Sequence, residues 1–372
     1  MNAAVRAKRG SPVLGNSATL NGAIYILGVG NLGKLVAHSL ARREAAAPVT
    51  LLFHRPGLLA DWEASGRAIK CTTDGVVDTR RNFSVELLPN GYGTRTGRES
   101  GSGSGSGSDS ETQHRPPPIH YLVVTTKAYS TLAALELVKD RIDRNSTILF
   151  LQNGIGTTKE VSDNLFVVPN TRPTYLAGIC SAGVYSSGPF SIVHAGRGPL
   201  AVHPESLSRA SYMSHNHLVQ QLVYADALDA AILSPASLRE AQLRKLVVNS
   251  IINPLTAIFN CKNGELFADP KNVALMSILV RETSAIVRAL LPQKSHPAIM
   301  DTFTNKYLEE LVLSVAEKTG GNTSSMLQDV RAGRRTEIDY MNGYLVESAG
   351  RLNLPCEHNA AIVRQVRQLA TV

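Results

Sequence analysis

Short apolar runs alternate with helical patterns in the first part of the chain. The run AIYIL at residues 23–27 is followed at once by glycines, and a helical pattern at 32–43 leads to a second apolar run, VTLLFH, at 49–54. Short apolar runs bounded by turn residues are typical of buried parallel strands. A strand, a helix and a second strand in this order form a β-α-β unit. The pattern therefore predicts a doubly wound α/β fold.

The same alternation returns after residue 118. Strands are predicted at 120–125 and 147–151, with a helix at 131–141 between them. From 173 to 202, glycine and proline interrupt the short apolar runs, which favours an antiparallel meander. Beyond residue 234 the pattern is helical almost to the end of the chain. We therefore expect an α/β domain at 21–236 and a helical domain at 237–372.

Two segments differ in composition from these domains. Residues 1–20 contain three basic residues and no acid, and we interpret them as a disordered tail, with a weak mitochondrial transit segment as the alternative. Residues 90–118 contain GSGSGSGS and three consecutive prolines. Such a stretch buries too little apolar surface to offset its ordering entropy. We expect it to be a flexible insert in the first domain.

Composition limits the classes of partner. The formal net charge is +8, but aromatic residues make up only 5% of the chain, so the stacking platforms of nucleic-acid binders are not evident. No apolar run reaches the roughly 18 residues of a membrane span. The four cysteines form no C-x-x-C pair, which argues against a metal site. We expect a cytoplasmic protein, or alternatively a mitochondrial one, without nucleic acid, membrane or metal.

A glycine-rich motif lies directly after the first predicted strand and before the first helix. It consists of Gly28, Val29, Gly30, Asn31, Leu32 and Gly33. In the pattern G-x-G-x-x-G the first glycine permits a tight turn, the second lets the backbone approach a pyrophosphate, and the third permits close helix packing. The N-terminus of the helix then faces the anion. The motif predicts a dinucleotide-binding site.

The residue after the second strand indicates which dinucleotide is bound. Sites that prefer NAD usually carry an acidic residue there, which bonds the ribose 2′-hydroxyl. This chain has His54 and Arg55 instead. A guanidinium can pair with a 2′-phosphate, which a carboxylate would repel. We therefore expect NADPH as cofactor, although Arg55 as a solvated loop residue is the alternative.

Three polar side chains recur at every fourth position of a predicted helix. Lys245, Asn249 and Asn253 stand among apolar residues and share one face of the helix. Ser237 and Glu240, upstream, have the S-x-x-E spacing of a capping box. Since buried polar groups must be paired, the stripe either bonds other protein groups or lines a cavity. Of these two interpretations, we favour the cavity.

Two longer stretches resemble the ketopantoate reductase family. They are RKLVVNSIINPLTAIFNCKNGEL at 244–266 and SSMLQDVRAGRRTEIDYMNGYL at 324–345, with lesser matches at TTKAYS and LQNGIG. The resemblance runs from about residue 23 to the C-terminus, with insertions. It implies a Rossmann-like NADP-binding domain followed by a helical domain of the 6-phosphogluconate dehydrogenase-like type. It also implies an oxidoreductase that reduces 2-dehydropantoate (ketopantoate) to pantoate in pantothenate biosynthesis. We expect the protein to be a monomer or a homodimer.

The resemblance further implies roles for single residues. Lys245 is implied as the general acid, because a desolvated ammonium both stabilises and protonates a developing oxyanion. Contacts with the substrate are implied for Asn249, Asn253, Asn263, Ser325 at the carboxylate end, and Glu337, on a predicted helix, at the hydroxyl group. Lys127 and Asn153 follow predicted strands and resemble cofactor-binding residues, with a role in forming the turn as the alternative for each.

Two other functions remain open from the sequence. One is a related NADP-dependent reductase that acts on a different 2-keto acid. The other is a non-catalytic paralogue that keeps the fold and binds RNA or a protein through its basic surface. The retention of every matched site residue favours an enzyme.

Overall fold

The computed structural model describes residues 22–43, 46–88, 116–204, 216–292 and 296–369. The predicted tail at 1–20 lies outside the described residues, and so does the predicted insert at 90–118 except for its last three residues. Within the described ranges, no helix combines the length and the apolar character needed to cross a membrane.

Two β-sheets form the centre of the first domain. The strands are β1 (Ile24–Leu27), β2 (Val49–Phe53), β3 (Ile69–Thr73), β4 (Val76–Arg80), β5 (Phe83–Leu87), β6 (Tyr121–Val124), β7 (Thr147–Phe150), β8 (Thr174–Cys180), β9 (Gly183–Gly188), β10 (Ser191–Gly196), β11 (Leu200–Pro204) and β12 (Ala231–Ile232). The larger sheet has the order β12-β11-β8-β7-β6-β1-β2-β5, and the smaller one β4-β3-β10-β9. The strands from β8 to β5 pair in parallel, which confirms the predicted doubly wound α/β fold.

The helices lie on the faces of the larger sheet and make up the C-terminal part of the chain. They are α1 (Asn31–Leu40), α2 (Pro56–Ala64), α3 (Thr131–Glu136), α4 (Thr157–Asn164), α5 (His217–Val223), α6 (Pro235–Phe259), α7 (Pro270–Leu290), α8 (Pro297–Asp301), α9 (Asn305–Lys318), α10 (Ser325–Arg331), α11 (Asn342–Leu352) and α12 (Glu357–Leu369). The helical character predicted beyond residue 234 is therefore confirmed.

The central strand β1 is buried on both faces. Ile24 and Ile26 pack in the cluster that contains α1, whereas Tyr25 and Leu27 pack in the cluster that contains α3. A strand covered by helices on both faces consists of apolar residues without alternation. This is why a run as short as AIYIL identifies the strand.

The region at 173–202 is not a single antiparallel meander. β8 pairs in parallel with β7 in the larger sheet, whereas β9 and β10 form an antiparallel hairpin in the smaller sheet. β10 also pairs in parallel with β3, more than a hundred residues earlier. The meander prediction is wrong because a local pattern of short strands does not show to which sheet each strand belongs.

The start of α6 corrects a second prediction. Its N-cap is Ser234, whose Oγ accepts a hydrogen bond from the backbone N–H of Ser237 at 3.1 Å. Pro235 occupies the first helical position, where its missing N–H costs nothing. Ser237 therefore lies inside the helix, and Glu240 pairs with Arg244 instead of closing a capping box.

Separate hydrophobic clusters fill the two parts of the chain. Two clusters draw their buried residues from 23–228, and a third draws them from 243–366. A small cluster of Ala177, Ile179, Ala201 and Leu238 packs α6 against β8 and β11. The domain division at residue 236 stays a prediction, which this separation of the clusters supports.

Candidate active site

The glycine motif forms the tight connection between β1 and α1. Gly28 has a φ of +100°, and a Cβ there would lie 2.5 Å from the backbone nitrogen of Thr126. A Cβ on Gly33 would overlap the carbonyl oxygen of Gly28. Gly30, the N-cap of α1, is exposed and has nothing within 4 Å of a Cβ position. The first and third glycines therefore serve packing, and the second leaves open space in front of a helix N-terminus, as a pyrophosphate requires.

The other motif residues support this connection. Val29 is buried, Asn31 begins α1, and Leu32 packs against the core. Val29 and Leu32 therefore hold the loop on the domain, while Gly30 faces open space. The residues present thus fit a dinucleotide whose diphosphate lies at this loop.

Arg55 lies at the same edge of the sheet as the glycine motif. It is the exposed N-cap of α2 and follows β2, which pairs in parallel with β1. Burial lowers the pKa of the neighbouring His54, and the Arg55 guanidinium lowers that pKa further. Because a lowered pKa favours the neutral form of His54, the positive charge offered to an anionic group here is that of Arg55.

Glu337 lies against the ends of β6 and β7 and is 3% exposed. Its Oε1 accepts a hydrogen bond from the backbone N–H of Ala128 at 2.9 Å, and its Oε2 accepts one from the Asn153 amide at 3.4 Å. The same Oε2 is 3.6 Å from Lys127 Nζ. Two residues predicted at the cofactor and one predicted at the substrate thus meet in a single polar network. Glu337 precedes the short 3-10 helix Ile338–Tyr340 and does not lie on the predicted helix.

Asp329 is a member of this network that the sequence did not reveal. Its Oδ2 lies 2.6 Å from Lys127 Nζ, and its Oδ1 accepts a hydrogen bond from Arg334 Nε at 3.1 Å. Desolvation lowers the pKa of Lys127, but Glu337 and Asp329 outweigh that effect, so the pKa is raised. Lys127 therefore carries its charge. Asp329 stands in the stretch at 324–345, but its local pattern is that of a solvated helix residue.

Lys245 lies on α6 at the end of β8. Its Nζ donates a hydrogen bond to the carbonyl oxygen of Cys180 at 2.9 Å, which fixes the direction of the ammonium. Desolvation lowers the pKa of Lys245, and nearby Cys180 and Glu337 oppose that change without cancelling it. A lowered pKa brings the ammonium closer to the range in which a general acid works well.

A cleft of about 670 Å³ adjoins Lys245 and Asn249. Its remaining walls come from the loop after β7, from α4 and β8, and from α11. Sites for small molecules have volumes of roughly 300 to 1,000 Å³. The polar stripe predicted on α6 therefore does line a cleft along its first half.

The second half of the stripe is covered by other helices. Asn253 is buried, and its amide donates to Met341 Sδ at 3.8 Å. One turn later, Thr256 donates to Ser324, the N-cap of α10, at 2.7 Å. Ser325, the next residue, is the first of α10. These residues lie beyond the lining of the cleft.

Asn263 lies past the end of α6. It is 8% exposed, and its amide donates to Thr319 Oγ1 at 2.9 Å. The structure thus brings Lys127, Asn153, Glu337 and Lys245 together between the two domains, with Asn249 in the adjoining cleft. It places Asn263 in a contact within the helical domain.

Comparison with known proteins identifies the family. The family profile "Ketopantoate reductase PanE/ApbA" matches residues 24–205, and the profile "Ketopantoate reductase PanE/ApbA C terminal" matches residues 237–370. This chain belongs to the ketopantoate reductase family. It is therefore an oxidoreductase, and the resemblance read from 244–266 and 324–345 is confirmed.

Curated relatives in this family carry two kinds of name. The probable 2-dehydropantoate 2-reductase of Schizosaccharomyces pombe is 29% identical over 343 residues, which cover 89% of this chain and 91% of that protein. The ketoisovalerate reductase of Gibberella fujikuroi is 30% identical over 366 residues, covering 88% of this chain and 78% of that protein. The names of these relatives therefore indicate two different keto-acid substrates within the family.

Solved structures share the fold over nearly the whole chain. The ternary structure of D-mandelate dehydrogenase with NADH and anilino(oxo)acetate has a TM-score of 0.71 at 17% identity and covers 94% of this chain and 98% of that one. The 2-dehydropantoate 2-reductase of Geobacter metallireducens has a TM-score of 0.70 at 20% identity and covers 93% and 99%. These similarities confirm a Rossmann-like domain followed by a helical one.

Proposed function

We propose that this chain is a 2-dehydropantoate 2-reductase, which uses NADPH to reduce ketopantoate to pantoate in pantothenate biosynthesis. The observation that carries the proposal is a buried carboxylate, Glu337, close to Lys245. Ketopantoate carries a hydroxyl group two carbons from its ketone. A buried carboxylate accepts hydrogen bonds strongly, so it offers that hydroxyl a favourable partner.

Lys245 is the proton donor in this proposal. As the ketone is reduced, negative charge builds on its oxygen, and an ammonium with a lowered pKa both stabilises that charge and neutralises it with a proton. The carbonyl of Cys180 holds the ammonium in place beforehand. A reduced nicotinamide, when bound, supplies the hydride.

The proposal that NADPH is the cofactor rests on residues at the carboxyl ends of the parallel strands. The open space in front of Gly30 suits the diphosphate, and the exposed guanidinium of Arg55 suits a 2′-phosphate. Lys127 and Asn153 follow β6 and β7 at the same edge, where ligands of open α/β sheets bind. We include both as cofactor-binding residues.

Four further residues are proposed to bind the keto acid. Asn249 is supported by its place in the cleft, and Asn253 by its place one turn further along the same helix face. Ser325 offers its hydroxyl at the N-terminus of α10. Asn263 donates its amide N–H to Thr319, and its buried Oδ1, which has no partner among the described residues, is left to accept a hydrogen bond from the substrate.

A 2-ketoisovalerate reductase is the second candidate. The relative of that name from Gibberella fujikuroi matches this chain as well as the 2-dehydropantoate 2-reductases do. 2-Ketoisovalerate lacks the hydroxymethyl group of ketopantoate and so has no donor for Glu337. A site built to bond a substrate hydroxyl rejects the analogue without it by as much as roughly 10⁴-fold.

The deciding experiment is steady-state oxidation of the cofactor by the purified chain. We expect kcat/KM for ketopantoate to exceed that for 2-ketoisovalerate by at least about 100-fold, and NADPH to be preferred over NADH. A preference for 2-ketoisovalerate would assign the second function. Binding of NADPH without turnover of either keto acid would contradict both.

A further inference from the structure

The helix that carries Lys245 has a proline in its interior. Pro254 has no N–H, so it cannot donate the hydrogen bond that the carbonyl oxygen of Ser250, four residues earlier, accepts in an unbroken helix. Ser250 is fully buried, and a buried carbonyl oxygen without a partner is destabilising. The side chain of Asn342 supplies the missing bond, because its Nδ2 donates to this oxygen at 2.8 Å. The interrupted turn of α6 is therefore completed by a residue 92 positions away in the chain.

This bond joins the two segments that carry the chemical groups of the site. Lys245 and Ser250 are five residues apart on α6, which is about 7.5 Å along the axis of an ideal helix. Glu337 and Asn342 are also five residues apart, on either side of the short 3-10 helix Ile338–Tyr340. Asn342 therefore connects the helix of the proposed proton donor to the segment of the buried carboxylate.

A charged group lies at the far end of the same network. Glu282, on α7, accepts hydrogen bonds from the backbone N–H groups of His358 and Asn359 at 2.9 and 3.0 Å. It also accepts one from the side-chain amide of Asn359 at 2.8 Å. Burial raises the pKa of Glu282, but the hydrogen bonds from Asn359 and His358 outweigh that effect, so the pKa is lowered. Glu282 is therefore a carboxylate, which sits at the N-terminus of α12.

The carboxylate fixes the direction of each amide in the network. An ionised Glu282 only accepts hydrogen bonds, so Asn359 must turn its N–H groups toward it. The Oδ1 of Asn359 then faces Asn342 and accepts a hydrogen bond from its Nδ2 at 3.0 Å. The second N–H of the Asn342 amide is left for Ser250. Both asparagines are fully buried, so each amide is held in one orientation by protein partners.

We propose that Asn342 is a positioning residue, which holds α6 at its internal proline and thereby sets the position of Lys245 relative to Glu337. This inference rests on the proposed function, in which these two groups act on one keto acid. A proline inside a helix is a point at which the helix bends. Without the bond from Asn342, the half of α6 that carries Lys245 is free to change its angle there. A shift of about 1 Å in a reacting group can cost roughly 100-fold in rate.

The test uses two substitutions that act in opposite ways on the carbonyl of Ser250. Asn342→Ala removes its donor, whereas Pro254→Ala restores a backbone N–H that can donate to it within the helix. The double variant therefore gives the carbonyl a partner again, but in a helix without the proline. Asn216→Ala is the matched control, because Asn216 is also a buried asparagine that donates to a side chain, here Thr147, and it lies in the first domain.

The measurements are the melting temperature, the affinity for NADPH, and kcat and KM for ketopantoate and 2-ketoisovalerate, at a temperature at which the variants are folded. We expect Asn342→Ala to lower the melting temperature and to lower kcat about 10- to 100-fold, with a smaller change in KM and unchanged NADPH binding. The double variant should regain the melting temperature and keep the low kcat. Asn216→Ala should lose melting temperature and keep kcat.

Three results would overturn the inference. The first is a normal kcat in Asn342→Ala, and the second is a kcat that recovers together with the melting temperature in the double variant, which would make the role one of stability alone. The third is a double variant as unstable as Asn342→Ala, because the bond to Ser250 would then not be what Asn342 supplies. Failure of the wild type to reduce either keto acid would instead contradict the proposed function.

Discussion

The glycine motif and the network around Glu337 belong to one site, but they are held in different ways. In the motif, Gly28 and Gly33 are five residues apart and shape one loop through close backbone contacts. In the network, the bond between Ala128 and Glu337 joins residues 209 positions apart in the chain. The cofactor side of the site is thus a local structure, whereas the chemical side exists only when the two domains pack together.

The two regions also differ in the forces that they use. The loop depends on small residues and on the dipoles of α1, with no charged side chain. The network depends on Lys127, Asp329 and Glu337, two of which are almost fully buried. Removing one member of a buried ionic network leaves its partners unpaired, which is costly. Substitutions in the two regions should therefore fail in different ways.

Loss of the proton donor has the largest expected effect and concerns only the chemical side. Lys245→Ala should lower kcat by about 10² to 10⁴, the usual contribution of a general acid. Binding of NADPH, measured by fluorescence titration, should stay as in the wild type, because the loop is independent of α6. Lys262→Ala, an exposed lysine after the same helix, is the control.

The pH dependence of kcat in the wild type is a second test of Lys245 as the proton donor. Burial lowers the pKa of Lys245, so the ammonium loses its proton at a lower pH than an ordinary lysine, near 10.4. As pH rises through this pKa, kcat should fall. A profile that stays flat up to about pH 10 would assign the proton to another group.

Paired glycine substitutions separate packing from binding on the cofactor side. Gly33→Ala should lower the free energy of unfolding by about 1–3 kcal/mol, because its Cβ overlaps the backbone at Gly28. Gly30→Ala should keep the melting temperature and weaken NADPH binding, since its Cβ enters only open space. A stable Gly33→Ala that binds NADPH normally would show that the loop is not held as described.

Asp329→Asn tests the link between the domains. Removing a charged partner of Lys127 should cost about 1–3 kcal/mol of stability, seen as a lower melting temperature. The pKa of Lys127 is raised in the folded chain, so its contribution is complete below the ordinary lysine pKa and is lost as pH rises through the raised value. The difference between wild type and variant should therefore shrink in strongly alkaline solution. Asp301→Asn, at an exposed site, should show no such dependence.

Arg55→Ala has the smallest expected effect and concerns cofactor choice alone. KM for NADPH should rise about tenfold, and KM for NADH should change little, because only NADPH carries the 2′-phosphate. Arg144→Ala removes the same charge just before β7, at the opposite edge of the parallel sheet. Equal losses for NADPH and NADH would give Arg55 a structural role.

The same contrast explains what could be predicted from the sequence. The strand β1, the motif at Gly28 and the polar stripe of α6 depend on spacing within one short stretch of the chain, and the structure has all three. Glu337 was recognised only by resemblance, and its position before a short 3-10 helix was missed, because its partners Ala128 and Asn153 are far away in the chain. The ionic role of Asp329 was missed for the same reason.

The smaller sheet and the start of α6 add two further cases. The pairing of β10 with β3 is a contact between distant segments that no local alternation reports. At α6, Ser234 and Ser237 are both plausible caps by composition, and the proline between them decides in favour of Ser234. Patterns of neighbouring residues therefore predicted the helices and strands, whereas contacts between distant elements determine which side chains meet in the site.

Glu337→Gln tests whether the buried carboxylate between the two domains binds the substrate hydroxyl. The measurement is the ratio of kcat/KM for ketopantoate to kcat/KM for 2-ketoisovalerate, in wild type and variant, with the melting temperature as a control for folding. We predict that the ratio falls about 10- to 100-fold, mainly through ketopantoate, because the charged acceptor for the hydroxyl is lost. An unchanged ratio, or an equal loss for both keto acids, would show that Glu337 does not bind that hydroxyl.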